Sequence, residues 1–369
     1  MSSVILGLMR IATMEDAAIR ALYDTARDAG ITFFDHADIY GGAPHVCEAR
    51  FGDALKLTAA ERDSILLQSK VGIRPGYFDF SKEHILKVVD GSLAALKTDY
   101  LDILLLHRPD TLVEPEEVAA AFDALETSGK VRHFGVSNQS PGQIELLKTA
   151  VRQPLRFNQV QLSITHANLI AQGMAVNMNG LDQSISRDVG LLDYSRLKGM
   201  TLQAWSPFQK GFFDGVFVGD RVDHPELNDV LDELAETHGV TPTGIAVAWI
   251  TRHPADIQVV LGTTTPSRVR DCVAGAGVRL SREEWSRRFA GFVLEATPEN
   301  LLGSSIYFDL RTIWGPDEGC EQLREALLGR VASNSLFQKM LAENALRQRP
   351  PVGRFRDFVV ARSGADKDT

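Results

Sequence analysis

Residues 65–107 read ILLQSKVGIRPGYFDFSKEHILKVVDGSLAALKTDYLDILLLH. Two short runs rich in Leu, Ile and Val, Ile65–Lys70 and Leu101–His107, have the length and composition of buried β-strands. Between them, Ser81–Lys97 carries apolar residues at three- and four-residue spacing, which predicts an amphipathic helix capped by Ser81. This stretch is therefore predicted to form a strand–helix–strand unit of a parallel sheet.

The same alternation extends over most of the chain. Further strand-like runs are Val4–Met9, Ile31–Asp35, Val131–Val136, Phe157–Ser163, Met200–Ser206 and Ile257–Gly262, and further helix-like segments are Met14–Ala29, Pro115–Ser128 and Pro225–His238. Eight strands, each followed by a helix, predict an α/β fold of the (β/α)8 TIM-barrel type. The alternative, an open doubly wound sheet, should show Gly-x-Gly-x-x-Gly after its first strand, where this chain reads Gly7-Leu8-Met9-Arg10.

The composition excludes several classes of protein. The 369 residues are 44% hydrophobic and 24% charged, which is typical of a globular protein and excludes a fibrous or collagen-like chain. The net charge of −9 argues against a broad basic surface for nucleic acid or for an anionic membrane. No apolar run approaches the length of about 18 residues that a membrane helix needs, and no secretory leader is recognisable. We therefore expect a cytoplasmic protein that binds neither nucleic acid nor membrane.

Polar residues suited to chemistry cluster at the ends of consecutive predicted strands. They are Asp35, His36, Asp38 and Tyr40 after the second strand, Lys70 at the end of the third, and His107 and Arg108 at the end of the fourth. In a barrel the loops after these strands meet at one mouth. A buried ammonium such as that of Lys70 needs a partner, which Asp35 could supply. The same ammonium should lower the pKa of Tyr40 from about 10 towards neutrality.

Tyr40 could then donate a proton to an oxygen on which negative charge develops, while His107 orients that oxygen. Carbonyl reduction requires such a set of groups. Each residue also has an ordinary structural explanation. Asp35 and Asp38 could cap turns, Tyr40 could be a loop aromatic, Lys70 could lie on the surface, and His107 could be a hydrogen-bonded strand-end residue. Their joint occurrence after three adjacent strands weakens these explanations.

A second set of polar and aromatic residues follows the later strands. It comprises Ser137, Asn138, Gln159, Trp205, Ser206, Gly262, Thr263, Thr264, Thr265 and Arg268. Amide side chains suit a carboxamide, an indole face suits a flat ring, and a Gly/Thr turn before a helix with an arginine suits a phosphate.

Several of these segments together resemble the aldo-keto reductase superfamily, in particular a bacterial YdhF-like branch of oxidoreductases, over residues 1–290. They are Phe34–Gly41, Gln68–Lys70, Tyr100–Pro109, Gly129–Asn138, Asn158–Val160, Ala204–Pro207 and Leu261–Arg268. The resemblance implies a catalytic tetrad of Asp35, Tyr40, Lys70 and His107, with Tyr40 as proton donor and Asp38 only a neighbour. It also implies a nicotinamide cofactor, bound by Ser137, Asn138, Gln159, Trp205, Ser206, Gly262, Thr263, Thr264 and Arg268.

Within this resemblance, Arg268 favours NADPH (NADP+) over NADH, because a guanidinium matches a phosphate monoester better than a ribose hydroxyl. NADH stays an alternative, since Thr stands where relatives carry a second Lys or Arg. The implied function is reduction of an aldehyde or ketone, a small-molecule carbonyl substrate, to an alcohol. No metal is expected.

The last part of the chain, residues 291–369, breaks the alternation and is predicted to be a mostly helical extension with disordered final residues. Ser304–Gly315 and Pro350–Val359 resemble the C-terminal helical domain of bacterial signalling proteins that join CBS pairs to a nucleotidyltransferase-like domain. The simpler interpretation is an extension that packs on the barrel, self-associates or binds a protein partner.

Two other functions fit the same residues. The chain could be a catalytically inactive nicotinamide-nucleotide-binding sensor whose tail is an interaction module. It could also be a divalent-metal hydrolase on a TIM barrel, with ligands among His36, Asp38, His107, His133 and His166, although it lacks a His-x-His pair after the first strand.

Overall fold

The computed structural model describes residues 2–177, 184–210 and 215–287. The strands in this part of the chain are β1 (Val4–Gly7), β2 (Phe33–Asp35), β3 (Leu66–Val71), β4 (Ile73–Arg74), β5 (Tyr77–Phe78), β6 (Leu101–Leu106), β7 (Val131–Ser137), β8 (Leu155–Gln161), β9 (Thr201–Trp205) and β10 (Gln258–Leu261). Apart from β4 and β5, which form an antiparallel hairpin, the strands close into a parallel barrel in the order β1-β10-β9-β8-β7-β6-β3-β2. The predicted barrel and its eight strands are confirmed.

Helices follow the barrel strands along the chain. They are α1 (Asp16–Asp28), α2 (Val46–Leu55), α3 (Ala59–Asp63), α4 (Lys82–Leu96), α5 (Pro115–Thr127), α6 (Pro141–Leu147), α7 (Asn168–Met174), α8 (Leu191–Lys198), α9 (Pro225–His238), α10 (Pro242–Thr251) and α11 (Pro266–Ala276). The predicted cap of α4 is present, since the side chain of Ser81 accepts a hydrogen bond from the backbone N–H of His84. Among the described helices, none combines the length and the apolar character that a membrane crossing requires.

The barrel interior is layered because alternate residues of each strand point inwards. The innermost layer is an apolar cluster that includes Phe33, Ile103 and Phe157. Two residues further along β2 and β8 come the polar side chains of Asp35 and Gln159, while Leu105 of β6 still belongs to the apolar cluster. The polar interior therefore begins above a closed apolar floor, and it lies at the carboxyl ends of the strands.

The predicted extension, residues 291–369, lies outside the described residues. Its helical content and its resemblance to a signalling domain stay predictions. The hairpin β4–β5, between β3 and α4, was not predicted, because two-residue strands are too short to show an alternating pattern.

Candidate active site

The strand-end residues that the sequence singled out converge at the carboxyl end of the barrel. Asp35 is the last residue of β2, Lys70 lies in β3, and His107 directly follows β6. In the barrel, β3 lies between β2 and β6, so these side chains come from three adjacent strands. Tyr40 enters from the loop after β2.

Lys70 is fully buried and makes the central contacts of the site. Its Nζ donates to Asp35 Oδ2 at 2.7 Å, to the backbone oxygen of His36 at 2.7 Å and to Tyr40 Oη at 3.1 Å. An ammonium has three N–H donors, and these three acceptors use all of them. Burial alone would lower the pKa of Lys70, but the charge of Asp35 and the bonds to Asp35 and Tyr40 outweigh it and raise the pKa. Lys70 is therefore a fixed cation.

Tyr40 accepts a hydrogen bond from Lys70, which leaves its own hydroxyl proton available to another acceptor. The expectation that Lys70 would lower the Tyr40 pKa towards neutrality is wrong for this structure. Burial raises the pKa of Tyr40 above its ordinary value, and the opposing effect of the Lys70 charge is smaller. Tyr40 is therefore a protonated phenol at neutral pH, which suits a proton donor better than a phenolate would.

His107 lies beside Tyr40, with the two rings edge to face and their centroids 5.8 Å apart. The pKa of His107 lies well below its ordinary value because of burial and the nearby charges of Lys70 and Arg108. Its Nδ1 is shielded from solvent and has no hydrogen-bond partner in the described residues. A neutral imidazole in this position can donate one N–H to a substrate oxygen.

A network of buried glutamines holds Asp35 from below, and the sequence did not reveal it. Asp35 Oδ1 accepts from Gln68 Nε2 at 2.5 Å and from Gln159 Nε2 at 3.0 Å. Both amides also donate to Gln203 Oε1, at 2.9 and 3.1 Å. The spacing along the strands could have indicated it. Gln68 lies two residues before Lys70 and Gln203 two before Trp205, so each glutamine shares a strand face with a predicted site residue. The network fixes the carboxylate that pairs with Lys70.

His36 and Asp38 are buried near the tetrad but do not join it. Both ring nitrogens of His36 lack a partner among the described residues, and burial lowers its pKa to about 4. Burial, with the charge of Glu48, raises the pKa of Asp38 to about 7. Glu48 itself is fully buried and accepts hydrogen bonds from His45 Nδ1 at 2.6 Å and Ser69 Oγ at 2.5 Å. The sequence pattern did not point to this second buried cluster.

The residues expected at the nicotinamide form a hydrogen-bonded chain. Trp205 Nε1 donates to Asn138 Oδ1 at 3.1 Å, Asn138 Nδ2 donates to Ser137 Oγ at 2.8 Å, and Ser137 Oγ donates to the backbone oxygen of Gln159 at 2.8 Å. Asn138 has a left-handed backbone (φ 56°), as does Ser206 (φ 53°). Such strained residues are common at binding sites.

The donors and acceptors that these hydrogen-bonded residues leave unused fit a carboxamide. Asn138 keeps a second amide hydrogen, whereas both amide hydrogens of Gln159 are used by Asp35 and Gln203. Gln159 could therefore offer only its Oε1. In the structure, the amide group of Gln159 serves to hold Asp35 and Gln203.

The residues expected at the cofactor phosphate also fit. Gly262, Thr263 and Thr264 follow β10 and lead to α11, whose N-cap residue Thr265 makes no side-chain capping bond. The first-turn N–H groups of α11 are thus open to an anion. Arg268 is exposed in this turn and has neither an ion pair nor a hydrogen bond among the described residues.

The metal-hydrolase alternative finds no support in the geometry. Across residues 2–177, 184–210 and 215–287, no three His, Cys, Asp or Glu side chains lie together as a metal site. His36 packs against Phe51 with ring centroids 4.8 Å apart, and His133 is exposed on β7.

Comparison with known proteins decides the family. The model of the aldo/keto reductase family matches residues 3–288 of the chain. The chain is an aldo/keto reductase. This confirms the resemblance seen in its motifs. The reductase is accordingly an NADP-dependent oxidoreductase that acts on carbonyl compounds.

Its similarity to individual proteins covers the barrel. The reductase is 38% identical to the oxidoreductase YdhF of Escherichia coli over 270 residues, which are 70% of this chain and 82% of YdhF. It is 34% identical to a 6-dehydroglucose reductase of Agrobacterium fabrum over 299 residues, 77% of this chain and 92% of that protein. A crystal structure of a thermostable aldo-keto reductase with the inhibitor epalrestat matches with a TM-score of 0.60 and 26% identity, covering 78% of this chain and 94% of that chain.

Proposed function

We propose that the reductase converts an aldehyde or ketone to an alcohol with Tyr40 as the proton donor. Bound NADPH supplies the hydride that the carbonyl carbon receives. The carbonyl oxygen becomes negative at the same time and needs a proton, which Tyr40 Oη is placed to give. The observation that carries this proposal is the contact of Tyr40 Oη with Lys70 Nζ at 3.1 Å.

Lys70 and Asp35 prepare Tyr40 for this step. The Lys70 cation stabilises the phenolate that Tyr40 becomes when its proton leaves. Asp35, held by Gln68 and Gln159, keeps the Lys70 ammonium charged and oriented at 2.7 Å. His107, neutral and 5.8 Å from the Tyr40 ring, orients the substrate oxygen. Each residue of the predicted tetrad thus has a physical task.

Residues at or after the ends of β7, β9 and β10 would hold the cofactor. Asn138 and Ser137 would bind the carboxamide and Trp205 would flank the nicotinamide, with Ser206 at the same strand end. Gly262, Thr263 and Thr264 with the open first turn of α11 would bind phosphate. The exposed Arg268, unpaired within the described residues, supports a preference for NADPH, because it can meet the additional phosphate that NADH lacks.

The division of the chain is part of this proposal. Residues 1–290 would carry the barrel and the whole reaction, which is consistent with a family match that ends at residue 288. Residues 291–369 would be a separate extension that self-associates or binds a protein partner.

The test is removal of the Tyr40 hydroxyl. Tyr40→Phe should lower kcat for NADPH-dependent reduction of a small aldehyde by at least about 100-fold, the usual contribution of a general acid. NADPH binding, followed by nucleotide fluorescence, should be unchanged. The matched control is Tyr194→Phe, which removes an exposed hydroxyl bonded to Glu145 on the outside of the barrel and should leave kcat unchanged.

Retained turnover in Tyr40→Phe would show that another group donates the proton. NADPH binding by the natural chain without turnover over a broad panel of carbonyl compounds would instead favour the inactive nucleotide-binding sensor.

A further inference from the structure

Arg108 is a cation at the mouth that the proposed reaction does not use. It follows His107 at the end of β6 and is partly buried. Its guanidinium carbon lies 5.5 Å from the centroid of the Trp205 ring. Tyr40 is close enough to interact with it electrostatically. Arg108 is therefore close to both the proposed proton donor and the proposed nicotinamide platform.

This guanidinium has no acidic partner in the part of the chain that the structure describes. There, the contact of Arg108 is with the face of the Trp205 ring, and it forms neither an ion pair nor a hydrogen bond. The nearby carboxylate of Asp110 is occupied, since its oxygens accept the backbone N–H groups of Phe80 at 3.0 Å and Leu112 at 2.9 Å. Asp35 is occupied by Lys70. Burying part of a cation without a counter-charge costs free energy, unless an anionic ligand pairs with the cation when it binds.

The buried Arg62 shows which contacts a guanidinium with a structural role makes in this protein. Arg62 pairs with Asp102 at 2.8 Å and donates to Thr98 Oγ1 and to the backbone oxygens of Ile65 and Tyr100. Arg108 has none of these features. Its fork of N–H donors is therefore available to a ligand.

The position of Arg108 favours the substrate over the cofactor phosphates as that ligand. The residues that fit a phosphate follow β10, and β6 lies four places from β10 in the barrel order, on the opposite side. Beside Tyr40, the charges of Lys70 and Asp35 cancel and His107 is neutral, so Arg108 is a cation whose charge no described side chain pairs with. This local charge contrasts with the net charge of −9 of the whole chain.

We propose that Arg108 binds an anionic group, a carboxylate or a phosphate, on the carbonyl substrate. The inference rests on the proposed function and adds the chemical class of the substrate. A planar guanidinium binds such oxyanions through two parallel hydrogen bonds, which also fixes the orientation of the carbonyl relative to Tyr40. Neutral carbonyl compounds are reduced by the same residues but gain no help from Arg108.

Two pairs of probes test this with the full chain and NADPH. Each pair has the same reacting carbonyl with and without a negative charge: 4-carboxybenzaldehyde with its methyl ester, and phenylglyoxylate with its methyl ester. The natural chain should show a higher kcat/KM for the acid than for the ester in at least one pair. Arg108→Met should lower that acid-to-ester ratio by about 10- to 100-fold, the effect of losing a charge-assisted hydrogen bond.

Arg108→Lys should keep part of the preference, because it keeps the charge but loses the planar fork. The matched control is Arg156→Met, which removes an exposed arginine near the start of β8, at the opposite end of the barrel, and should leave the ratio unchanged. An unchanged ratio in Arg108→Met, or no preference for either acid by the natural chain, would overturn the proposal while ester reduction still upheld the reductase function. Failure to reduce any of the four probes would count against the proposed function itself.

Discussion

At the residue scale, His36 and Asp38 are two buried titratable neighbours whose effects on stability have opposite signs. The pKa of His36 is lowered to about 4 by burial, so its protonation opposes folding between pH 6.5 and 4. The pKa of Asp38 is raised to about 7 by burial and by the charge of Glu48. Its ionisation therefore opposes folding as the pH rises through 4 to 7. In the natural chain the two effects partly cancel.

Removing one residue should expose the effect of the other. In His36→Phe, which keeps an aromatic ring against Phe51, the slope of the unfolding free energy against pH between pH 4.5 and 6.5 should be more negative than in the natural chain, because the opposing effect of His36 is removed. In Asp38→Asn the slope should be more positive than in the natural chain. Each difference in slope is at most about 1.4 kcal/mol per pH unit, the effect of one proton. Urea unfolding at several pH values measures both slopes.

The control for this experiment is Asp28→Asn, which changes an exposed carboxylate at the end of α1. Its slope should follow that of the natural chain. Parallel slopes for His36→Phe, Asp38→Asn and the natural chain would mean that neither buried group has a shifted pKa.

The same scale shows what a sequence can and cannot predict about the site. Asp35, Tyr40, Lys70 and His107 could be grouped because strand ends in a barrel converge. The direction in which the Tyr40 pKa shifts could not be predicted, since it depends on how far burial outweighs the charge of Lys70. The glutamine network was missed for a similar reason: a single Gln in an apolar strand says nothing until its partners on other strands are known.

At the element scale, the contact between α10 and α11 depends on glycine. A β-carbon on Gly275 of α11 would overlap the backbone of Gly244 in α10. Neither residue needs a left-handed backbone, so the requirement comes from the closeness of the helices alone. Sequence periodicity predicts that helices exist, but it does not predict which glycine lies at their closest approach.

We therefore expect Gly275→Ala to lower the free energy of unfolding by about 1–3 kcal/mol, because overpacking exceeds the gain in helix propensity. Gly142→Ala is the matched control. Gly142 lies in α6 and is exposed, and a β-carbon added to it would meet no described atom within 4 Å, so its replacement should be neutral or slightly stabilising. Equal, stabilising effects of both changes in urea unfolding would contradict the close helix contact.

At the scale of the whole molecule, the strands of the barrel were predicted well because each is short, apolar and separated by helical periodicity. The division of the chain into a barrel and an extension is harder to predict from the sequence, since no low-complexity linker marks the boundary. The described structure shows how far along the chain the contacts of the barrel extend. Trp285 stacks on Trp249 of α10 with ring centroids 5.6 Å apart, and Trp285 Nε1 donates to the Trp249 backbone oxygen at 2.9 Å.

The residues around Trp285 are thus part of the barrel unit although they follow its last strand. Trp249 Nε1 returns a hydrogen bond to the Trp285 backbone oxygen at 3.2 Å, and Arg287 pairs with Glu233 of α9 through two hydrogen bonds of 2.8 and 2.7 Å. These contacts make residues up to 287 part of the barrel unit, and the boundary at residue 290 stays a prediction.

A chain that ends at residue 290 should consequently fold and reduce a neutral aldehyde with the kcat of the full chain. A chain that ends at residue 280 loses the Trp249–Trp285 stack and the Arg287–Glu233 pair. It should be less stable by several kcal/mol, because the aromatic stack on the buried Trp249 and its hydrogen bonds are lost together. Thermal unfolding and NADPH turnover of the two chains measure this. If both shortened chains lost the fold equally, residues 291–369 would be needed by the barrel, and the two-part division of the protein would be wrong.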